Sequence, residues 1–258
     1  MTDLPIFGFN SLLAALHQGR DFRVLWIDRQ RDDGRIRDLL EILAQRGCPV
    51  KRVVRGELDR AAQGGHHQGV LGWPTTRPTR PADLDEILTR LTVDPFLLVL
   101  DQVQDPHNLG ACLRTAAAVG VHAVVVPKDG AVGITPTVIK VASGAVEWVP
   151  LIVVTNLART LRSLKERGIW LVGSSADGTE TLFDIDLGGP LALVLGNEGD
   201  GLRRLTRETC DRLIRIPMVG PIESLNVSVA AGVCLYQAFR CRQHPVNKEL
   251  KKRAMADG

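Results

Sequence analysis

From Phe96 onward, the chain alternates short apolar runs with segments whose apolar residues recur at helical spacing. The runs predict strands at 96–100, 122–126, 149–154, 169–173 and 191–195. Helices are predicted around 113–120, 137–142 and 157–168, and a last helix near Ser224 or Asn226 has an apolar stripe of Val227, Ala231, Cys234, Leu235 and Ala238. Alternating strands and helices predict an α/β fold with a parallel sheet and helices on both of its faces.

The N-terminal residues 5–74 predict a smaller α/β unit with its own modest core. Asn10 or Ser11 is placed to cap a first helix. Further elements are predicted as strands at 24–27 and 51–54, a helix from 36 to 43 that ends at Gly47, and a last strand that follows the polar loop 63–70 and reaches Trp73.

A proline-rich segment separates the two units. Pro74, Pro78 and Pro81 deny the backbone the donors that a helix or a central strand needs, so we predict a semi-rigid linker followed by a short helix. The predicted division is a small domain over 1–74, the linker and helix over 75–93, a larger domain over 94–245 and a basic tail over 246–258.

The stretch LALVLGNEGDGL, residues 191–202, is the most informative part of the chain. Leu191–Leu195 predicts a strand that is buried on both faces of the sheet. Three glycines follow it, with the acidic Glu198 among them, at the strand end where open α/β sheets bind ligands. A bare backbone beside a carboxylate suits a polar, partly cationic ligand, and the alternative is a glycine-rich surface turn.

A second polar group follows the first strand of the larger domain. The segment DQVQDPHNLG is predicted to be a loop, and Arg114 lies one helical turn beyond it among small and apolar residues that are predicted to be buried. A buried guanidinium needs an anion, so Arg114 either grips a phosphate or a developing anion or forms a structural ion pair. Asn108 alone is more typical of a helix cap than of a site residue.

The third stretch, Ile216–Ser228, combines prolines and a glycine with a helix start. Ser224 and Asn226 are good caps there, and they gain interest as ligand contacts because a second glycine-rich loop exists. The chain contains no G-x-G-x-x-G, no G-K-[ST] and no G-x-S-x-G. The residues alone indicate an α/β enzyme with a ligand site built from loops, and they do not name the ligand.

Composition narrows the class of protein. The chain is 45% hydrophobic and 24% charged, which is typical of a globular protein without a membrane span, and its 4% of aromatic residues argues against a broad stacking platform for bases. The five cysteines are scattered without a C-x-x-C pair, so we predict reduced thiols in a cytoplasmic protein and no metal site.

Charge is distributed unevenly along the chain. The net charge is +2 over residues 1–93, −3 over 94–239 and +4 over 240–258. A nucleic-acid partner is therefore allowed by charge but not demanded by it. The basic tail is predicted to be a solvated end, with weak attraction to RNA as the alternative.

The three stretches together resemble the three motifs of the SpoU (TrmH-type) RNA ribose 2′-O-methyltransferases. They are NLGACLRTA with Asn108 and Arg114, LALVLGNEGDGL with Glu198, and IPMVGPIESLNVSVA with Ser224 and Asn226. Residues 5–74 resemble the L30e-like RNA-binding domain that precedes the catalytic domain in some members. Asn197 departs from the family pattern, in which alanine or serine is frequent at this position.

The resemblance implies a knotted SPOUT-type catalytic domain, a homodimer with its active site at the subunit interface, and S-adenosylmethionine as cofactor. The implied catalytic residues are Arg114, Asn108, Glu198, Ser224 and Asn226. The implied cofactor-binding residues are Leu195, Gly196, Asn197, Gly199, Gly201, Ile216, Met218, Leu225 and Asn226.

The implied reaction is the 2′-O-methylation of a guanosine ribose in 23S ribosomal RNA. A guanidinium is a poor base, so Arg114 is expected to stabilise the developing alkoxide and the adjacent phosphate, while a phosphate oxygen or water takes the proton. Asn108 and Glu198 are expected to orient Arg114 and the ribose. The alternatives are a tRNA or adenosine-directed rRNA ribose methyltransferase and a non-catalytic RNA-binding factor in ribosome assembly.

Overall fold

The computed structural model describes residues 5–62, 65–75, 83–222 and 224–243. Most of the predicted linker and all of the predicted basic tail lie outside these residues. Contacts divide the chain into two compact units: the described part of 1–81 with 134–148, and the described part of 82–133 with 149–258. The domain boundaries drawn from the sequence stay a prediction, and they differ from this grouping in the segment 134–148.

The elements up to residue 74 are strands β1 (Ile6–Phe7), β2 (Phe22–Asp28), β3 (Val50–Val53) and β4 (Val70–Pro74), with helices α1 (Phe9–His17), α2 (Gly34–Gln45) and α3 (Arg55–Ala62). Later helices are α4 (Leu84–Arg90), α5 (Pro106–Ala118), α6 (Pro136–Ala142), a 3-10 turn at Ala145–Glu147, α7 (Leu157–Glu166), α8 (Arg204–Thr209) and α9 (Val227–Gln243). Later strands are β5 (Phe96–Leu100), β6 (Ala123–Pro127), β7 (Leu151–Val154), β8 (Trp170–Ser174), β9 (Glu180–Thr181), β10 (Leu191–Leu195) and β11 (Arg212–Arg215).

The first unit is a mixed sheet of four strands in the order β1-β4-β2-β3. Only β2 and β3 run parallel; β4 pairs antiparallel with both β1 and β2. One face of this sheet packs against α1 and α2, where residues such as Leu16, Leu25 and Leu39 are completely buried. Segment 134–148 belongs to this unit, in which the Arg20 guanidinium lies 3.1 Å from the Glu147 carboxylate.

One predicted helix cap in this unit is wrong. Helix α1 begins at Phe9, so Asn10 and Ser11 lie inside its first turn, and Gly8 takes the capping position without a side-chain hydrogen bond. Gly8 adopts φ 89°, a backbone conformation that side-chain-bearing residues rarely adopt.

The second unit contains seven parallel strands in the order β7-β6-β5-β10-β8-β11-β9. All five residues of β10 are buried, and this strand lies between β5 and β8. The chain first builds outward through β5, β6 and β7, and then crosses to the other side with β8. The direction in which the strands are added reverses between β5 and β10, so the carboxyl end of β10 lies at the position at which open α/β sheets bind ligands.

Helix α9 closes the second unit. Val227, Ala231, Cys234, Leu235 and Ala238 are all buried, so the predicted apolar stripe is confirmed. The helix packs against α5 and β10. Among the described residues, no helix combines the length and the apolar character needed to cross a membrane.

Candidate active site

A cavity of about 260 Å³ lies at the carboxyl ends of β8 and β10. Its volume is slightly below the range of about 300–1,000 Å³ that is typical of small-molecule sites. Three segments line it: Ser174–Ala176 after β8, Leu195–Gly201 at the end of β10, and part of the segment that leads into α9. The sequence predicts the last two segments, because both carry glycines or prolines beside polar residues.

The segment Gly196–Gly201, here called the glycine loop, is a closed turn. The backbone N–H of Asn197 donates to the carbonyl of Gly201 at 3.2 Å. A Cβ atom on Gly196 would lie 2.0 Å from the carbonyl group of Gly201, so no larger residue fits without moving the backbone. Gly201 itself adopts φ 65°. The turn therefore requires glycine at both of its ends.

Asn197 stabilises the interior of the glycine loop. Its Oδ1 atom accepts hydrogen bonds from the backbone N–H groups of Gly199 at 3.0 Å and Asp200 at 2.6 Å. These donors point into the turn and have no strand partner. The residue that departs from the family pattern therefore satisfies two backbone donors that alanine would leave to water.

Glu198, Asn108 and Asn226, here called the polar cluster, meet beside the cavity. Glu198 Oε1 accepts hydrogen bonds from Asn108 Nδ2 at 2.9 Å and Asn226 Nδ2 at 2.5 Å. Asn226 Nδ2 also donates to Asn108 Oδ1 at 2.9 Å. The backbone N–H of Val227 adds a further donor to Glu198 Oε1 at 3.2 Å. The cluster joins one residue from each of the three stretches that the sequence analysis singled out.

Asn226 is a helix cap as well as a member of the polar cluster. Its Oδ1 atom accepts from the backbone N–H of Ser228 at 2.9 Å, at the start of α9. The cap predicted from the sequence is therefore confirmed for Asn226, while its role as a ligand contact stays a prediction. Ser224 is exposed and lines the cavity, and no hydrogen bond from it to the start of α9 is formed among the described residues.

Two expectations about the first stretch are wrong. Helix α5 begins at Pro106, so Asn108 lies in its first turn, while the side chain of Asp105 caps the helix by accepting from the N–H of His107 at 3.0 Å. Arg114 is exposed rather than buried. Its neighbours Cys112 and Leu113 face the core, and the helical turn of about 100° per residue carries Arg114 to the outer side.

Arg114 is not paired within the part of the chain that the structure describes. The ion pairs found there all involve other residues. Arg114 also makes no hydrogen bond to Asn108 or Glu198, whose contacts lie with Asn226 and Val227. Among the described residues, the structural ion pair considered from the sequence is therefore absent, and the role of Asn108 and Glu198 in orienting Arg114 stays a prediction.

Most of the residues predicted to bind a cofactor line the cavity: Leu195, Gly196, Asn197, Gly199, Gly201, Ile216, Met218 and Leu225. Asn226 does not line it and belongs to the polar cluster instead. Sequence reasoning missed Ser174, Ser175 and Ala176. A usable signal existed, since Ser174 ends the strand β8, which neighbours β10, and Ser175 and Ala176 directly follow it.

Asp101 anchors the far end of the glycine loop to β5. Its side chain is completely buried, and its Oδ1 accepts from Arg203 Nε at 2.7 Å. Its Oδ2 accepts from the backbone N–H of Arg203 at 3.1 Å. A buried carboxylate needs such a partner, because an unpaired one is costly. No pattern in the sequence indicates this pair, whose members lie 102 positions apart.

The fold and the cavity define an α/β protein with a pocket of small-molecule size at the carboxyl edge of a parallel sheet. The chain belongs to the SpoU rRNA Methylase family, whose profile matches residues 95–236. A second profile, described as RNA 2′-O ribose methyltransferase substrate binding, matches residues 5–72. The resemblance stated from the motifs is thereby confirmed, as are the parallel α/β fold and the N-terminal substrate-binding domain. The knot stays a prediction.

Relatives of known name cover nearly the whole chain. A protein of Nitrosomonas europaea named 23S rRNA (guanosine-2′-O-)-methyltransferase RlmB is 52% identical over 236 residues, covering 91% of this chain and 90% of the relative. A protein of the same name from Vibrio cholerae is 49% identical over 246 residues, covering 94% and 98%.

Solved structures agree on the fold. The SpoU methyltransferase AviRb from Streptomyces viridochromogenes, in complex with the cofactor AdoMet, superimposes with a TM-score of 0.74 at 26% identity and covers 92% of this chain and 89% of its own. The TrmH/SpoU tRNA modifying enzyme of A. aeolicus gives a TM-score of 0.54 at 32% identity, covering 67% of this chain and 93% of its own.

Proposed function

We propose that this chain transfers the methyl group of S-adenosylmethionine to the ribose 2′-hydroxyl of a guanosine in 23S ribosomal RNA. The polar cluster carries the proposal, because it joins Asn108, Glu198 and Asn226 beside a cavity at the ligand-binding edge of the sheet. The names of relatives that are about half identical over nine tenths of the chain support the choice of guanosine and of 23S rRNA.

The cavity residues fit S-adenosylmethionine. At Gly196, Gly199 and Gly201 no side chain lies between the backbone of the glycine loop and a ligand, and a Cβ atom at Gly196 would fill the turn. Leu195, Ile216 and Leu225 add apolar surface for a base, while the backbone of the loop offers polar groups. When bound, S-adenosylmethionine supplies a methyl group carried on a sulfonium.

Arg114 is proposed to hold the RNA at the reacting ribose. Its guanidinium is exposed and unpaired within the described chain, so its fork of donors is available to a phosphate and to an alkoxide that develops at the 2′-oxygen. A guanidinium is a poor base, so Arg114 is not the proposed proton acceptor. A phosphate oxygen or a water molecule is the proposed proton acceptor.

Asn108, Glu198 and Asn226 are proposed to hold the site in shape. Three donors converge on Glu198 Oε1, which ties the glycine loop to the starts of α5 and α9. Ser224 is proposed to contact the substrate or the cofactor, since it is exposed at the cavity wall.

We further propose that the protein is a homodimer. Helix α9 exposes Val229 at 51% and Tyr236 at 55%, two turns apart on one side, and Val219 and Ile222 are exposed just before it. A helix with apolar residues on two sides is usually buried on both sides. Arg114 lies exposed on α5, which packs against α9, so a partner chain in this region would adjoin it.

Residues 1–74 are proposed to bind the RNA substrate, and the reaction is proposed to occur in the cytoplasm. The description of the family that matches residues 5–72 supports the first point. All five cysteines are free, which is typical of proteins in a reducing compartment and supports the second.

One assay tests the reaction, the substrate and the base together. The protein is incubated with methyl-labelled S-adenosylmethionine and unmodified 23S rRNA, and the RNA is digested to nucleosides. We expect label in 2′-O-methylguanosine. Label in another nucleoside would contradict the proposal that guanosine is modified. Label found only when tRNA is the substrate would contradict the proposal that the substrate is ribosomal RNA. Cofactor binding without label on rRNA, pre-ribosomal particles or tRNA would favour a non-catalytic RNA-binding factor.

A further inference from the structure

One wall of the cavity belongs to the segment Ser174–Gly178, here called the serine loop. This segment lies outside the three motifs found in the sequence. Ser174, Ser175 and Ala176 face the cavity from this loop. The far end of the loop closely approaches another backbone segment, because a Cβ atom on Gly178 would lie 2.4 Å from the backbone of Ile214. Its middle is exposed, with Asp177 at 65%, so other contacts must hold it against the cavity.

Arg207 supplies the contacts that hold the middle of the serine loop. Its Nη1 donates to Asp177 Oδ1 at 2.9 Å and its Nη2 to Asp177 Oδ2 at 2.7 Å, which is a two-pronged pair. Nη1 also donates to Ser175 Oγ at 3.0 Å. The hydrogen bonds from Arg207 and Ser175 hold the pKa of Asp177 well below its usual range.

Arg207 belongs to the element that follows the glycine loop. Helix α8 begins at Arg204, three residues after the glycine loop ends at Gly201, and its N-terminal neighbour Arg203 is anchored on Asp101. The fork of Arg207 therefore connects the two facing walls of the cavity, the serine loop and the glycine loop with its helix. Arg215 supports the base of the serine loop, since its Nη1 donates to the carbonyl of Gly178 at 2.8 Å.

We infer that Arg207 is a positioning residue for the cofactor: through Asp177 and Ser175 it holds the serine loop at the distance from the glycine loop that a bound S-adenosylmethionine requires. The inference rests on the proposed function. Arg207 does not line the cavity, so it acts through the loop and does not touch the ligand. The backbone N–H of Ser175 donates to the carbonyl of Ile214 at 2.8 Å and so holds the start of the loop without Arg207. Without the fork, the part of the loop around Asp177 is less firmly held and has to be ordered when the cofactor binds, and this ordering weakens affinity.

The test compares two arginines of one helix in the full-length protein. Arg207→Ala is expected to weaken the binding of S-adenosylmethionine, measured by calorimetry, by about threefold to tenfold. Its KM for the cofactor should rise with it, while kcat at saturating cofactor and KM for RNA stay unchanged. Arg204→Ala is the matched control, because Arg204 also forms an exposed ion pair on α8, with Glu208 at 3.0 Å, away from the serine loop. It should leave the affinity unchanged.

Two further variants separate positioning from general stability. Arg207→Lys keeps the charge and loses the fork, so it should recover part of the affinity. The double variant Asp177→Asn with Arg207→Ala should bind S-adenosylmethionine no more weakly than Arg207→Ala alone. Both substitutions remove the same contact, the one between Arg207 and Asp177. Wild-type affinity in Arg207→Ala, or a lower melting temperature with unchanged affinity, would overturn the inference. If the wild-type protein bound no S-adenosylmethionine, the proposed function itself would fail.

Discussion

Asn226 uses every polar atom of its side chain. Its Nδ2 atom donates to Glu198 and to Asn108, and its Oδ1 atom caps α9. A single residue thus fixes the start of the last helix and the geometry of the polar cluster. This double use explains how an ordinary helix cap in the sequence becomes the centre of a site.

Asn226→Asp separates these two uses. Aspartate keeps an oxygen to cap α9 but donates nothing, and it places a second carboxylate against Glu198. Methylation is expected to fall by at least about tenfold, because hydrogen bonds to a charged group are lost and like charges are brought together. Initial rates on 23S rRNA measure the effect.

The control for Asn226→Asp is the same change at another cap. Asn156 caps α7 by accepting from the N–H of Arg159 at 3.0 Å, and it lies outside the polar cluster. Asn156→Asp should leave the rate unchanged. Equal rates for Asn226→Asp and wild type would show that the cluster is not needed in the reaction.

Arg114→Lys tests the geometry of the guanidinium. Lysine keeps the positive charge and loses the planar fork, so methylation should fall by about 10²–10³-fold, the typical effect of removing a donor to a developing oxyanion. Calorimetry should show unchanged affinity for S-adenosylmethionine, since Arg114 does not line the cavity. Near-normal turnover in this variant would contradict the proposed role.

At the level of elements, the glycine loop depends on one close approach of two backbone segments. Gly196→Ala places a methyl group 2.0 Å from the Gly201 carbonyl and should destabilise the protein by about 1–3 kcal/mol, because the backbone has to move. It should also weaken cofactor binding. Denaturant unfolding and calorimetry measure the two effects.

Gly199→Ala is the matched control within the same loop. A Cβ atom there meets nothing nearer than Asn197 Oδ1 at 3.8 Å, and Gly199 is not among the residues with positive φ. Stability should change by no more than about 0.5 kcal/mol. Equal losses in both variants would mean that the close approach at Gly196 is not what the loop requires.

Elements with a clear apolar pattern were predictable, and elements without one were not. Strand β10 and the stripe of α9 follow directly from their apolar residues. Helices α3 and α8 were not predicted: α3 buries one large apolar residue, Leu58, together with Ala62, and the two buried residues of α8 are threonines. Strand β11, with the sequence RLIR, buries Ile214 alone and is formed by pairing with β8 and β9.

At the level of the whole molecule, a dimer would cover the exposed side of α9. Tyr236→Glu is expected to convert the protein to a species with the 28.1 kDa mass of one chain and to abolish methylation, because a buried unpaired charge is costly at an interface. Light scattering measures the mass.

The matched control for Tyr236→Glu is Val153→Glu. Val153 lies on β7, the edge strand of the sheet, and it is as exposed as Tyr236, at 54% against 55%. This change should leave mass and activity unaltered. A dimeric Tyr236→Glu variant would rule out this side of α9 as the interface.

The sequence by itself determined the fold class, two of the three segments that line the cavity, and the family. Apolar periodicity reports burial along one segment, and glycines report where the backbone must turn, so both can be read locally. The motif residues Asn108, Glu198 and Asn226 could be named from their order in the chain, but their mutual contacts could not.

Only the tertiary structure decided which distant residues meet. Arg207 and Asp177 are 30 positions apart, and Arg203 and Asp101 are 102 apart, with no pattern in either segment that points to the other. The exposure of Arg114 was decided in the same way, because the side of α5 that faces the core depends on where the helix begins and on what packs against it. Contacts between segments depend on the order of the strands, which local patterns leave undetermined.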